Sequence, residues 1–323
     1  MPDSKPVQVR LLDRLAGGEG DERASLIAGL RATPPRIEPK YFYDELGCAL
    51  YGAICQLPEY YPTRTEAAIF REHRASIAEA VGQGAQFVDL GAGDCRKAQG
   101  WMPYLQPSRY VAVDIAAAEL EAALARVAPD FPGIEMLGVV ADFTRGLPLD
   151  DALDARRCTF FYPGSSIGNF APGEATAFLA RVQAQCARRP GSGLLIGVDA
   201  KKDKARLDAA YDDALGVTAA FNLNVLLHVN RRLGSDFALD GWKHVGFYEA
   251  GQGRIEMHLE ARRDQVVRWP DGERRFHSGE RIHTENSYKY AAAEFEALLR
   301  AAGFRDVARW TDAPQDYFVF YAR

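Results

Sequence analysis

The sequence predicts an α/β protein: a parallel sheet covered by helices on both faces, joined to a second, smaller α+β domain. Three observations carry this prediction. Short apolar runs alternate with helix-periodic segments through the middle of the chain, and the first run ends in Gly91-Ala92-Gly93. The alternation breaks before residue 65 and again between 201 and 290. Strand–helix alternation implies parallel pairing, because each crossover helix must bury its apolar stripe on the sheet.

The elements follow in order. Residues 86–90 (QFVDL) read as the first strand and 110–115 (YVAVDI) as the second. Leu120, Leu124 and Val127 then recur at i, i+4 and i+7, one face of a helix. Runs 134–140, 158–162 and 193–198 supply three more strands, with Phe178, Val182 and Cys186 striping a helix over 174–187. After 201 a helix gives way to KHVGFYEA, RIEMHLEARR and DQVVRW, separated by Gly, Asp and Pro. Phe295, Leu298 and Leu299 mark a helix stopped by Gly303, and YFVFY at 317–321 falls in the last two strands. Residues 65–200 with 291–323 are therefore expected to form the sheet domain, and 1–64 with 201–290 a cap at its ligand edge.

Composition narrows the function. The 323 residues are 47% hydrophobic, enough for a sizeable core, and carry a net charge of −5. Lys and Arg are scattered, which excludes nucleic acid as a partner, since phosphates demand concentrated positive charge. Cys48, Cys55, Cys95, Cys158 and Cys186 form no C-x-x-C pair, so free thiols in a reducing cytosol are expected. The opening MPDSKPVQVRLLDR resembles no signal peptide, and no run approaches the ~20 apolar residues of a membrane helix. A cytoplasmic protein without membrane or metal partners is expected; His258 and His283 show no metal-ligand spacing.

The site reads from the strand ends. Gly91-x-Gly93 lets a backbone turn tightly and a ligand approach closely. Asp114 ends the next strand about 20 residues on, where a carboxylate accepts from ribose hydroxyls. That pair suits NAD and S-adenosylmethionine equally. Asp142-Phe143 closes the third strand, offering an acceptor for an adenine amino group and a ring to pack on it. Arg96 interrupts the dinucleotide fingerprint G-x-G-x-x-G. The ordered set resembles the Rossmann-like class I methyltransferases.

Longer blocks narrow the resemblance. LPEYYPTRTE (57–66), FFYPGSSIGNFAP (160–172), AYDDALGVTAAFNLNVL (210–226) and RIEMHLEAR (254–262) look like the L-histidine Nα-methyltransferases of ergothioneine biosynthesis, in the same order from about residue 26 onward. The resemblance implies S-adenosylmethionine as cofactor, bound by Gly91, Lys97, Asp114, Asp142 and Phe143. It implies L-histidine as substrate, held by Tyr60, Asn169, Tyr211, Met257, Glu285, Asn286 and Ser287, with Met257 lining the imidazole pocket. Glu285 would accept from an imidazole N–H, and Ser287 or Tyr60 would serve the other ring nitrogen. The product would be the betaine hercynine, made by a stand-alone monomer. Ser166 and Tyr51 depart from the family's threonine and phenylalanine. Three alternatives stand beside this reading: an Nα-methyltransferase for another amino acid such as tryptophan, an NAD-dependent oxidoreductase, and a non-catalytic amino-acid binder. The Asp142-Phe143 pair and missing third glycine disfavour the oxidoreductase; the intact Gly91, Asp114 and Asp142 disfavour the binder.

Overall fold

The computed structural model describes residues 9–15 and 19–323; residues 1–8, read above as lacking a signal peptide, lie outside them, as do 16–18. The chain divides into two compact units: Met1–Ala16, Thr65–Ala200 and Tyr290–Arg323, and Gly17–Arg64 with Lys201–Lys289. In chain order the strands are β1 (Arg10–Asp13), β2 (Gln86–Leu90), β3 (Arg109–Asp114), β4 (Glu135–Val140), β5 (Cys158–Tyr162), β6 (Gly193–Asp199) and β7 (Trp242–Glu249). They continue with β8 (Arg254–Ala261), β9 (Gln265–Trp269), β10 (Gly272–Phe276), β11 (Arg281–Tyr288), β12 (Val307–Thr311) and β13 (Tyr317–Ala322). No helix of the described residues is long and apolar enough to cross a membrane.

The first unit is an α/β layer structure. Its eight-stranded sheet runs β1-β4-β3-β2-β5-β6-β13-β12. Pairing is parallel from β1 to β6, while β13 joins β6 antiparallel and β12 joins β13 antiparallel. Strands β2, β5, β6 and β13 are buried along their whole length, as central strands covered on both faces must be. The helix Ala117–Val127 buries Leu120, Ala123, Leu124 and Val127, the stripe its sequence shows.

One boundary differs from expectation. The sequence reading placed residues 1–64 together in the cap, but β1 pairs in register with Leu137–Val140 of β4. The sheet edge supplies backbone partners for a four-residue strand (RLLD) that has no apolar alternation of its own.

The second unit is α+β. A three-stranded antiparallel sheet, β11-β8-β7, and the hairpin β9–β10 accompany the helices Glu19–Arg31, Glu45–Ile54, Lys204–Tyr211 and Val217–Leu233. Phe42 stacks on Phe221 at 4.6 Å within a core that includes Val225, Trp242, Ile255, Met257 and Ile282. Asp44 caps Glu45–Ile54 by accepting from Gly47 N at 2.7 Å, and its carboxylate also accepts from Asn224 Nδ2 at 2.7 Å.

Candidate active site

In the first unit the order β4-β3-β2 sets three parallel strand ends side by side, and these ends carry Asp142, Asp114 and Gly91. Gly91 and Gly93 adopt φ of +72° and +50°, conformations that a side chain disfavours. Gly91 N and Ala92 N donate to Val113 O at 2.9 and 3.1 Å, which fastens the glycine turn to β3. Asp114 completes the fastening: its Oδ2 accepts from Gly93 N at 2.9 Å and its Oδ1 from Ala116 N at 3.1 Å. Burial raises the Asp114 pKa, and these backbone donors oppose the rise. A Cβ added to Gly91 would stand 3.6 Å from Phe143 Cζ, so glycine keeps the space against the ring clear. Phe143 is braced by Tyr162 and Phe178 at 5.8 and 6.1 Å. Asp142 Oδ1 accepts from Thr144 N at 3.1 Å. A glycine cradle, two carboxylates and a half-buried aromatic ring thus gather at neighbouring strand ends.

Lys97, expected at the cofactor, has a partner within the protein. Its Nζ pairs with Glu66 Oε2 at 2.7 Å, and Glu66 is 1% exposed. Glu66 Oε1 also accepts from Gly164 N and Tyr317 Oη, each at 2.7 Å. A Cβ on Gly197 would come within 2.0 Å of that oxygen, so the strand needs glycine there. Glu66 therefore ties Lys97 to the turn after β5, where Gly164 and Ser165 have φ of +80° and +60°. Ser165 Oγ accepts from Asp199 N at 2.9 Å. The turn leads into the 3-10 segment Ser166–Asn169. Among the described residues the Asn169 amide makes no hydrogen bond, which leaves its donor and acceptor for a ligand.

In the second unit Met257 and Glu285 are register partners on β8 and β11. A β-bulge at Thr284 sets which face Glu285 joins. His283 opposes His258, then Glu285 opposes Met257, so Thr284 is the extra residue. Thr284 Oγ1 donates to Asn222 Oδ1 at 2.8 Å or to Met257 O at 3.0 Å. Glu285 and Ser287 thus share the face of Met257 and Ile255, while Asn286 turns to the other face, its Oδ1 2.9 Å from His283 Nε2. Asn286 is not brought together with Glu285 and Ser287. Tyr211 Oη donates to Ser287 Oγ at 2.9 Å, and its ring stands 6.1 Å from that of Tyr60. Tyr60 in turn neighbours Tyr51 at 6.4 Å, and their hydroxyls are hydrogen-bonded. Burial raises both phenols well above their ordinary pKa, so each stays a neutral donor.

Glu285 is 8% exposed, and among the described residues nothing donates to its carboxylate. Burial pushes its pKa up to about 7, with Lys289 pulling the other way. Lys289, 1% exposed, donates to Tyr211 Oη at 3.0 Å and Ser287 Oγ at 2.9 Å. Sequence reasoning missed both Lys289 and Glu66. Glu66 closes the block LPEYYPTRTE already singled out, and strand alternation puts residue 289 on the face of 285 and 287.

Comparison with known proteins places the chain in a family. The family model described as "Histidine-specific methyltransferase, SAM-dependent" matches residues 22–323. A "Histidine N-alpha-methyltransferase" of Mycolicibacterium smegmatis is 41% identical over 91% of this chain and 92% of its own length. An "Ergothioneine biosynthesis protein 1" of Neurospora crassa is 33% identical over 86% of this chain, which matches 32% of that longer protein. A 4-dimethylallyltryptophan N-methyltransferase of Epichloe festucae var. lolii is 28% identical over 98% of both chains. The chain belongs to the histidine-specific, S-adenosylmethionine-dependent methyltransferase family.

Proposed function

We propose that the chain transfers methyl groups from S-adenosylmethionine to the α-amine of L-histidine, three in succession, giving hercynine on the route to ergothioneine. One observation carries the substrate choice: a buried carboxylate, Glu285, without a donor of its own, beside a hydroxyl cluster on the same strand face. Such an acceptor favours a ligand that brings an N–H, because an apolar side chain would leave the charge buried and unpaired. An indole supplies the N–H but no second nitrogen for Ser287.

The donor supplies an electrophilic methyl on a sulfonium; the amine's lone pair forms the new C–N bond as the C–S pair returns to sulfur. Asp114 would accept from the ribose hydroxyls, Asp142 from the adenine amine, and Phe143 would pack on the base. The Gly91 backbone would border the donor, and Lys97, steadied by Glu66, would offer its remaining N–H groups to the donor's carboxylate. Asn169 would hold the backbone groups of the amino acid, Tyr211 would border the substrate with its hydroxyl proton committed to Ser287 Oγ, and Met257 would line the ring. Positioning of this kind supplies several kcal/mol without an acid or base. Tyr60 acts as a donor, since burial opposes its ionisation. The amine's proton therefore leaves to water. We read the enzyme as a cytoplasmic monomer: its five free thiols suit a reducing compartment, and light scattering should return the mass of one 35.7 kDa chain.

The test is direct. The purified chain, S-adenosylmethionine and each of the twenty amino acids in turn are incubated and analysed by mass spectrometry. Histidine should gain successive methyl masses up to the trimethyl product. Methylation of another amino acid in preference to histidine would overturn the assignment.

A further inference from the structure

Lys289 takes no part in the function argued so far, yet it is among the largest fully buried side chains. Its ammonium forms a triangle with Tyr211 Oη at 3.0 Å and Ser287 Oγ at 2.9 Å, and the two hydroxyls are 2.9 Å apart. The ammonium also lies 4.8 Å from the centre of the Tyr211 ring.

An ammonium only donates, so both hydroxyls must accept from it. Each hydroxyl has one proton, and the bond between them uses one of the two. One hydroxyl proton therefore remains to leave the triangle. A phenol O–H is a stronger hydrogen-bond donor than an alcohol O–H, and Tyr211 donates inward to Ser287 Oγ. Ser287 Oγ then accepts from both Lys289 and Tyr211, which fills its two acceptor positions. Its own proton must point outward.

We propose that Lys289 is a positioning residue for ring recognition, making Ser287 an obligate donor on the strand face where the ionised Glu285 carboxylate accepts. Two residues along a strand span about 6.6 Å. A five-membered ring with one N–H and one lone-pair nitrogen can bridge such a span with a hydrogen bond at each end. The pair reads a neutral imidazole by both nitrogens, and Lys289 holds the donor half. This inference rests on histidine being the substrate.

The test uses the full chain with L-histidine and the two pyrrolylalanine isomers, which keep a ring N–H but lose the second nitrogen. The readout is the preference, the ratio of kcat/KM for histidine to that for the better pyrrolylalanine. Any general disturbance of folding or of Glu285 affects both substrates and cancels. The intact enzyme should prefer histidine by about tenfold or more, the worth of one hydrogen bond left unmade. Lys289→Met and Ser287→Ala should each collapse that ratio to within about threefold of unity, and the double variant should go no further. Tyr211→Phe should keep the preference, because Lys289 still donates to Ser287. An unchanged ratio in Lys289→Met, or a ratio lost in Tyr211→Phe as fully as in Ser287→Ala, would overturn the proposal. Should Lys289→Met not fold, Tyr211→Phe against Ser287→Ala decides alone. Failure of the intact enzyme to methylate histidine would instead sink the substrate assignment.

Discussion

Asp114, half-buried, and Glu285, buried, are both carboxylates at strand positions, yet their surroundings differ in kind. Asp114 has a backbone N–H on each oxygen, from Gly93 and Ala116. The loop itself makes those bonds, and they hold the glycine turn in its left-handed conformation. Glu285 receives no donor among the described residues, and burial lifts its pKa to about 7. One carboxylate is satisfied by its own loop and builds a site; the other is left for a ligand to satisfy and selects one. A site for a common cofactor gains from rigidity, whereas a site that must reject nineteen other amino acids gains from a penalty on the wrong partner.

The largest effect should come from breaking the satisfied member. Asp114→Ala removes the proposed ribose acceptor and frees Gly93 together, and should weaken S-adenosylmethionine binding by about a hundredfold or more. Calorimetric titration with the cofactor measures this; an unchanged affinity would move the ribose contact elsewhere.

Glu285→Ala should raise the KM for histidine by about 10- to 100-fold, the worth of a charge-assisted hydrogen bond, with cofactor affinity within twofold. Equal losses for both ligands would erase the distinction between the two carboxylates. The same contrast has a pH signature. Burial holds the folded-state pKa of Glu285 at about 7, above its ordinary 4.5, so the ligand-free fold favours the protonated form. Its contribution to stability is present at low pH and is lost as pH rises through about 7. Glu285→Gln should therefore gain in Tm relative to the parent between pH 5 and pH 8. Histidine binding runs oppositely, strengthening as the carboxylate ionises. The histidine ring titrates near pH 6.5 on its own account, and comparison with Glu285→Gln removes that part. A Tm difference that is flat with pH would show that Glu285 titrates normally.

The smallest effect sharpens the comparison at the family departure. Tyr51→Phe removes the hydroxyl partner of Tyr60 but keeps the ring packing against Tyr60 and Phe221. The KM for histidine should move less than about threefold, since a neutral hydrogen bond contributes about 1 kcal/mol or less. A larger change would place that hydroxyl in substrate binding.

Much of the sheet unit was legible in the chain. Fully buried parallel strands must be continuous apolar runs, and QFVDL, YVAVDI and GLLIGV are such runs. The strand-end residues were legible because a glycine turn, an acid about 20 residues on and an acid-aromatic pair keep their order along the sequence. β1 was not, because RLLD gains its partner from β4, far along the chain. Glu66 was not, because its three partners, Lys97, Gly164 and Tyr317, are scattered over 251 residues of sequence.

The sequence by itself determined most elements of the sheet unit and the family, because apolar period and motif spacing are local properties. It could not determine which way β11 presents its side chains. Strict alternation would align Glu285 and Ser287 with His283; the extra residue Thr284 breaks that parity and turns them onto the face of Met257. Only the tertiary structure decided this, since the bulge is held from outside the strand, by Asn222 and the Met257 carbonyl on the Thr284 hydroxyl.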